Sequence, residues 1–175
     1  MHNTAAPVDP LFTWIESTAF STWLREEPSI WAFPFVLILH TWGLAFLVGA
    51  NVAIGVRILG AARGVPLGSM ERYYRVMWLG FWVNAVSGVA LLIAYPTKAL
   101  TNPLFFVKLT LVAVGVLLAS RIRAHIRELT STDLRPMPGG VRMLAMASLL
   151  CWAASIAAGR YLAYTYSRLL VDFNA

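Results

Sequence analysis

The chain has 175 residues, 59% of them hydrophobic and 13% charged, with a formal net charge of +6, a pI near 10.0 and a mean hydropathy of +0.68. Soluble domains carry roughly 25% charged residues, so this composition excludes a water-soluble globular domain. Nucleic-acid binding is set aside as well, because the basic groups collect at the ends of long apolar blocks.

In chain order, Met1 to Asp9 lacks the basic region of a cleavable signal peptide, and the first apolar block starts late and runs long. That block is therefore expected to stay as a membrane anchor. Asp9-Pro10 reads as an N-cap followed by proline at the first helical position. Leu11, Phe12, Trp14, Ile15, Ala19, Phe20, Trp23 and Leu24 then recur at helical spacing up to Pro28. This predicts an amphipathic helix lying in the membrane interface on the outer face, or alternatively a helix packed on a partner subunit.

Four apolar blocks follow: Ile30 to Ile58, Val76 to Tyr95, Pro103 to Ser120 and Val141 to Tyr166. Each approaches or exceeds the ~20 residues that cross roughly 30 Å of hydrocarbon as a helix. None alternates as a strand would. Pro34 falls in the first turn of the first span, where proline is tolerated. Gly60 to Ser69, with three glycines and Pro66, reads as a turn-rich loop. Tyr95-Pro96 stops the second span and Asn102-Pro103 starts the third, which predicts an antiparallel hairpin of spans two and three. The third helix is expected to continue to about Leu129, and Pro136 to Gly140 to break the chain. The predicted fold is all-α: an integral membrane four-helix bundle with an N-terminal amphipathic interfacial helix. Its parts are residues 1–29 (outer tail and interfacial helix), 30–166 (four spans) and 167–175 (short outer tail).

The single cysteine, Cys151, lies in the fourth block, so no intrachain disulfide can form. Arg57, Arg63, Arg72 and Arg75 flank the first long loop, and Arg121, Arg123, Arg127, Arg135 and Arg142 the third. The positive-inside rule puts both loops in the cytoplasm of a bacterial inner membrane, with both termini in the periplasm.

Intramembrane ionisable groups are costly and mark functional positions. His40 lies nine residues past Trp31, hence roughly 13 Å deep at 1.5 Å per residue. Lys108 and Arg160 are roughly 8 and 9 Å deep in the same outer half. His125 lies at the other end and His2 in the tail, so neither meets His40 within one chain. The faces also carry pattern: His40, Gly43, Leu44, Leu47 and Asn51 form one stripe. Asn84, Ser87, Gly88 and Tyr95 form a second, and Ser148, Trp152, Ser155 and Gly159 a third. Such stripes serve as packing seams, since small residues let helices approach and Ser or Asn bond across them.

A haem pocket accounts for the three ionisable groups together. Neutral imidazole is an axial ligand for b-type haem, and shallower cations pair with its propionates. His40 is then the metal ligand, with Lys108 and Arg160 as cofactor-binding groups and Tyr164, in the same segment of the fourth span, added to them. With one histidine at this depth, the iron is five-coordinate, ligated by a side chain such as Met or Tyr, or shared between copies. The plainer alternative has His40 bonded to Ser155, Asn84 or a backbone carbonyl, with Lys108 and Arg160 snorkelling to the headgroups. Copper is a further alternative, though no carboxylate or cysteine lies at the His40 depth. No hydrolytic or transferase constellation is present, so any reaction is at most a redox step.

His40-Thr-Trp-Gly-Leu-Ala-Phe-Leu-Val-Gly49 with Arg57-Ile-Leu-Gly60 resembles the first span of an uncharacterised bacterial family of four-helix integral membrane proteins. Asn102-Pro103 with Phe105, Phe106 and Lys108-Leu109 is similar to that family's third-span entry. Ser148-Leu-Leu-Cys-Trp152 with Gly159-Arg160-Tyr-Leu-Ala-Tyr164 is similar to its fourth span. The resemblance covers Pro34 to Tyr166. It implies a four-helix inner-membrane fold, and the family in turn distantly resembles copper-resistance-type and b-type cytochrome membrane proteins. Family members tend to carry a histidine at the end of the third span, where this chain has His125 displaced among arginines.

These readings combine into one expectation: a small inner-membrane protein that binds haem b through His40. Its role would be electron transfer or redox sensing at the periplasmic side, with a quinone or a periplasmic redox protein as partner and self-association into a homo-oligomer. The alternatives are a non-catalytic accessory subunit that binds lipid or a partner complex, and periplasmic copper handling.

Overall fold

A computed structural model describes residues 10–127 and 137–172. Residues 1–9, Pro136 of the expected break and the end of the expected tail (173–175) lie outside the described residues. Of the rest, Met137 and Pro138 are non-helical, a helix resumes at Gly139 rather than after Gly140, and the expected tail from 167 is helical to Asp172. The amphipathic segment folds as two helices rather than one, α1 (Pro10–Glu16) and α2 (Ala19–Glu26). Two hydroxyls divide it. Ser17 and Thr18 donate to the carbonyls of Trp14 and Ile15, 2.8 and 2.7 Å away, so their side chains satisfy the end of α1. Thr18 then accepts from the Ser21 N–H as the N-cap of α2. Serine and threonine favour such termini because a short side chain can reach backbone groups left without partners.

The four spans are α3 (Phe33–Leu59), α4 (Met70–Ala94), α6 (Pro103–Arg127) and α7 (Gly139–Asp172), with the short α5 (Pro96–Leu100) between α4 and α6. All four reach membrane-spanning length with apolar composition. α4, α6 and α7 extend well beyond their apolar blocks, α6 running past Ser120 to Arg127. α4 starts six residues before Val76, so Glu71, Arg72 and Arg75 are helical, and α7 continues past Tyr166. At the end of α3, Gly60 adopts φ 99°. Its N–H bonds the Arg57 carbonyl while that of Ala61 bonds the Val56 carbonyl. This pair of bonds closes a helix through a left-handed residue, the position glycine occupies at least cost.

The helices pack in pairs, α3 on α4 and α6 on α7, and the pairs meet through α3 and α7. The expected hairpin of spans two and three is therefore revised: α4 and α6 run antiparallel but do not pack along their lengths. Their small residues are already engaged elsewhere. A Cβ at Gly43 of α3 would lie 2.5 Å from the Asn84 N of α4, and one at Gly80 of α4 would lie 2.6 Å from the Leu47 N of α3. The two backbones touch there, and no side chain fits between them. On the other pair, Gly115 of α6 receives the indole of Trp152 of α7; a Cβ would stand 2.9 Å from its ring.

Below these contacts a core of Leu47, Ile54, Ile58, Met70, Met77, Ile122 and Trp152 is nearly solvent-free. Cys151 is a small buried residue whose thiol donates to the Leu111 carbonyl. At the arginine-rich end, Arg123 of α6 forms a two-point ion pair with Glu71 of α4, joined by Arg127 at 3.4 Å. This is the chief link between α4 and α6. At the opposite end, α2 seals the bundle: Leu24, Ala32 and Ala94 are fully buried together, and the Ser21 hydroxyl donates to the Ile93 carbonyl. The other face of α1 and α2 leaves Trp14, Phe20 and Trp23 exposed, as an interfacial segment requires. Trp42, Leu79, Trp82, Val86, Leu117 and Leu150 are exposed along the spans. In water such a belt would drive aggregation; in a bilayer it faces lipid tails.

The glycine contact yields a sharp contrast. Gly80→Val is expected to lower stability by at least about 3 kcal/mol, because two backbones must separate. Gly49, with nothing within 4 Å of its Cβ position, should accept alanine within about 0.5 kcal/mol or with a small gain. Thermal unfolding in detergent, read from tryptophan fluorescence, checks both; equal losses would contradict the backbone contact.

Candidate functional site

His40 sits one turn before Gly43 on α3, so the glycine contact brings α4 against its imidazole. The ring nitrogen Nδ1 is 3.0 Å from the Asn84 carbonyl oxygen and 3.1 Å from the Ser87 hydroxyl. A carbonyl only accepts, so Nδ1 carries the proton. Ser87 donates its own proton to the Val83 carbonyl at 2.6 Å, leaving a lone pair toward the ring. In return, the Asn84 side-chain amide donates to the His40 carbonyl at 2.7 Å. His40 and Asn84 thus exchange side-chain-to-backbone bonds across the helix interface.

The tautomer follows from this geometry. With the proton on Nδ1, a neutral imidazole carries its lone pair on Nε2, and among the described residues only Nδ1 is hydrogen-bonded. Gly88 provides the room: a Cβ there would lie 3.1 Å from the ring carbon Cε1. The neutral, oriented imidazole is the form in which histidine serves as a metal ligand, its second nitrogen tied to a backbone carbonyl.

Lys108 of α6 comes next. Its side chain lies over Gly159 of α7, with Cε, Cδ and Nζ 3.6 to 3.7 Å from the position a Cβ would take. His40 and Lys108 belong to different helix pairs, and no hydrogen bond or ion pair joins them among the described residues. The other two candidates do not join them either. Arg160 is exposed, and Tyr164, one turn along the same face of α7, is 69% exposed. Neither makes a hydrogen bond or ion pair to His40 or Lys108 among the described residues. His125 is exposed near the far end of α6, its Nδ1 2.8 Å from the Arg121 carbonyl. No group of three or more His, Cys, Asp or Glu that could hold a metal occurs among the described residues.

The polar seam continues between α3 and α7, where the buried Ser148 hydroxyl is 3.3 Å from the Asn51 amide oxygen. Ser155 is buried as well, and the buried Trp152 Nε1 has no partner among the described residues. Charge patterning groups Arg57 with the loop arginines, yet its side chain is 1% exposed. A signal was present: Gly43, Leu47, Ala50, Ile54 and Arg57 follow one another at spacings of four and three, so Arg57 continues the buried stripe of α3.

The exchange of bonds between His40 and Asn84 makes the two residues energetically coupled. A double-mutant cycle of His40→Ala and Asn84→Ala should give a coupling of about 1 kcal/mol in detergent unfolding, the range of interhelical hydrogen bonds in membranes. Strictly additive losses would show that the bonds contribute nothing to holding α3 on α4.

Comparison with curated proteins finds no match, and comparison with solved structures finds none either. A family model described as a family of unknown function does match, over residues 11–165, which spans α1 through the outer part of α7 and includes every residue of the site. The chain belongs to that family, DUF6644.

Proposed function

We propose that this protein binds haem b in the bilayer, with His40 as an axial ligand, and serves electron transfer or redox sensing. One observation carries the reading: the imidazole is held in the tautomer that offers Nε2, by a backbone carbonyl on a neighbouring helix. A histidine kept only for packing needs one satisfied nitrogen. Here the second nitrogen has no hydrogen bond among the described residues, and a glycine beside it clears the ring.

The residues fit the group in part. His40 would hold the iron, and Lys108 would pair with an anionic propionate while its stem stays packed over Gly159. Asn84 and Ser87 would orient the ring and raise its basicity through the Nδ1 bonds. Arg160 and Tyr164 lie on the outer surface of α7, so they would contribute only across a boundary with lipid or a second copy of the chain. When bound, the haem supplies one-electron exchange between ferric and ferrous iron. With one histidine per chain at this depth, any further protein ligand would be a non-histidine side chain or would come from a neighbouring copy.

The placement of the arginine-rich loops supports an orientation with His40 in the outer half of the inner membrane and both termini periplasmic. A quinone or a periplasmic redox protein would then be the electron partner.

Purified protein, expressed with haem precursor supplied, should show a Soret band and a reduced-minus-oxidised difference spectrum. His40→Ala should abolish both while keeping the helical circular dichroism. Lys108→Met should weaken haem retention about tenfold, as expected for losing one charge-assisted bond, and Arg160→Ala should have a smaller effect. A folded, colourless preparation that takes up no added haem sinks the reading and leaves a lipid- or partner-binding accessory subunit. Copper uptake with no haem binding would favour metal handling instead.

A further inference from the structure

The least expected feature outside the His40 region is Arg57. Its side chain is almost fully buried at the arginine-rich end of α3. Its Nε donates to the Val65 carbonyl in the loop beyond Gly60, yet among the described residues its buried Nη2 has no hydrogen-bond partner. Nη2 is a donor on a cation, and a buried cation without a counter-charge is among the costliest arrangements a fold can hold.

Two further arginines share the spot. Arg57, Arg63 and Arg142 line one small cavity, with room of about 10 Å³, at the junction of α3 with the start of α7. Arg63 donates to the Gly60 carbonyl and Arg142 to the Leu59 carbonyl. Both are exposed, so their remaining donors face the cavity mouth or the surrounding medium. Among the described residues no carboxylate pairs with any of the three; the ion pairs present join Glu71 to Arg123 and Arg127 on the other helix pair. The cavity is about the size of one water molecule or one oxygen atom. A water would satisfy the Nη2 hydrogen but not the charge. An anion with several oxygens would do both, placing one oxygen inside and leaving others at the mouth for Arg63 and Arg142.

We infer that Arg57, Arg63 and Arg142 form a binding site for a phosphate group, the buried Nη2 of Arg57 receiving one phosphate oxygen. Planar guanidinium donors match phosphate oxygens better than ammonium groups do. The group is either the headgroup phosphate of an anionic lipid or a phosphate free in solution, and these share the same chemistry. The site lies at the opposite end of the bundle from His40 and does not depend on haem binding.

The test uses delipidated full-length protein in a non-ionic detergent, with thermal unfolding followed by tryptophan fluorescence. Inorganic phosphate is compared with chloride at equal ionic strength. In a second arm the protein is placed in nanodiscs of phosphatidylcholine alone, or of equal parts phosphatidylcholine and phosphatidylglycerol, and retained lipid is counted by native mass spectrometry. A Tm rise with phosphate over chloride assigns a soluble anion. Stabilisation and retention with phosphatidylglycerol only assigns the lipid headgroup. In either case Arg142→Gln should weaken the response about tenfold, and Arg57→Gln should remove it. Should Arg57→Gln fail to fold, Arg63→Gln together with Arg142→Gln provides the same reading. The proposal is overturned if phosphate and phosphatidylglycerol both match their controls, or if a folded Arg57→Gln variant keeps the full response. It is equally overturned if a response appears only in Glu128→Gln/Asp133→Asn, since the chain's own carboxylates would then occupy the site.

Discussion

Backbone contact between α3 and α4 at Gly43 and Gly80 is the constraint on which the rest of this molecule depends. Lipid tails are as apolar as leucine side chains, so helices in a bilayer gain little by hiding apolar surface from each other. They associate where close approach permits dense packing and where polar groups find partners. The two glycines permit the approach. One turn away it places the Asn84 carbonyl within hydrogen-bond reach of the His40 ring and the His40 carbonyl within reach of the Asn84 amide. With a residue larger than glycine at either position, both bonds would be out of range.

The same economy explains the architecture. The closest small-residue contact in each helix pair is Gly43–Gly80 in the first and Gly115–Trp152 in the second. The pairs then join through α3 and α7, where Asn51 meets Ser148. α4 and α6 have no comparable contact, and an ion pair between Glu71 and Arg123 ties them at one end. At the other end, His40 belongs to α3 of one pair and Lys108 to α6 of the other.

Charge is distributed by the same logic of solvation. Most arginines lie at one end, where water and headgroups can reach them, and two of them neutralise Glu71. Arg57 departs from that pattern because it lies on the buried stripe of α3, where α7 and the following loop cover it. A cation in that position needs an anion more than an exposed one does, since the medium around it screens little.

The amino-acid sequence by itself determined the membrane environment, the four spans and the stripes of small and polar residues. These follow from length, hydropathy and helical period, which are properties of one helix at a time. It also singled out His40, because one imidazole in an apolar block stands out without any knowledge of its neighbours. Pairing was not legible, and for a physical reason. Short connections favour the contact of spans two and three, but which faces touch is decided by the fit of Gly43 to Gly80 and of Gly115 to Trp152, a property of two helices together. The tautomer of His40, the outward turn of Arg160 and Tyr164, the break of the amphipathic segment at Ser17-Thr18 and the burial of Arg57 likewise depend on what stands opposite each residue. Only the tertiary structure decided these, because rotation about a helix axis costs an isolated helix nothing and is set by its partner.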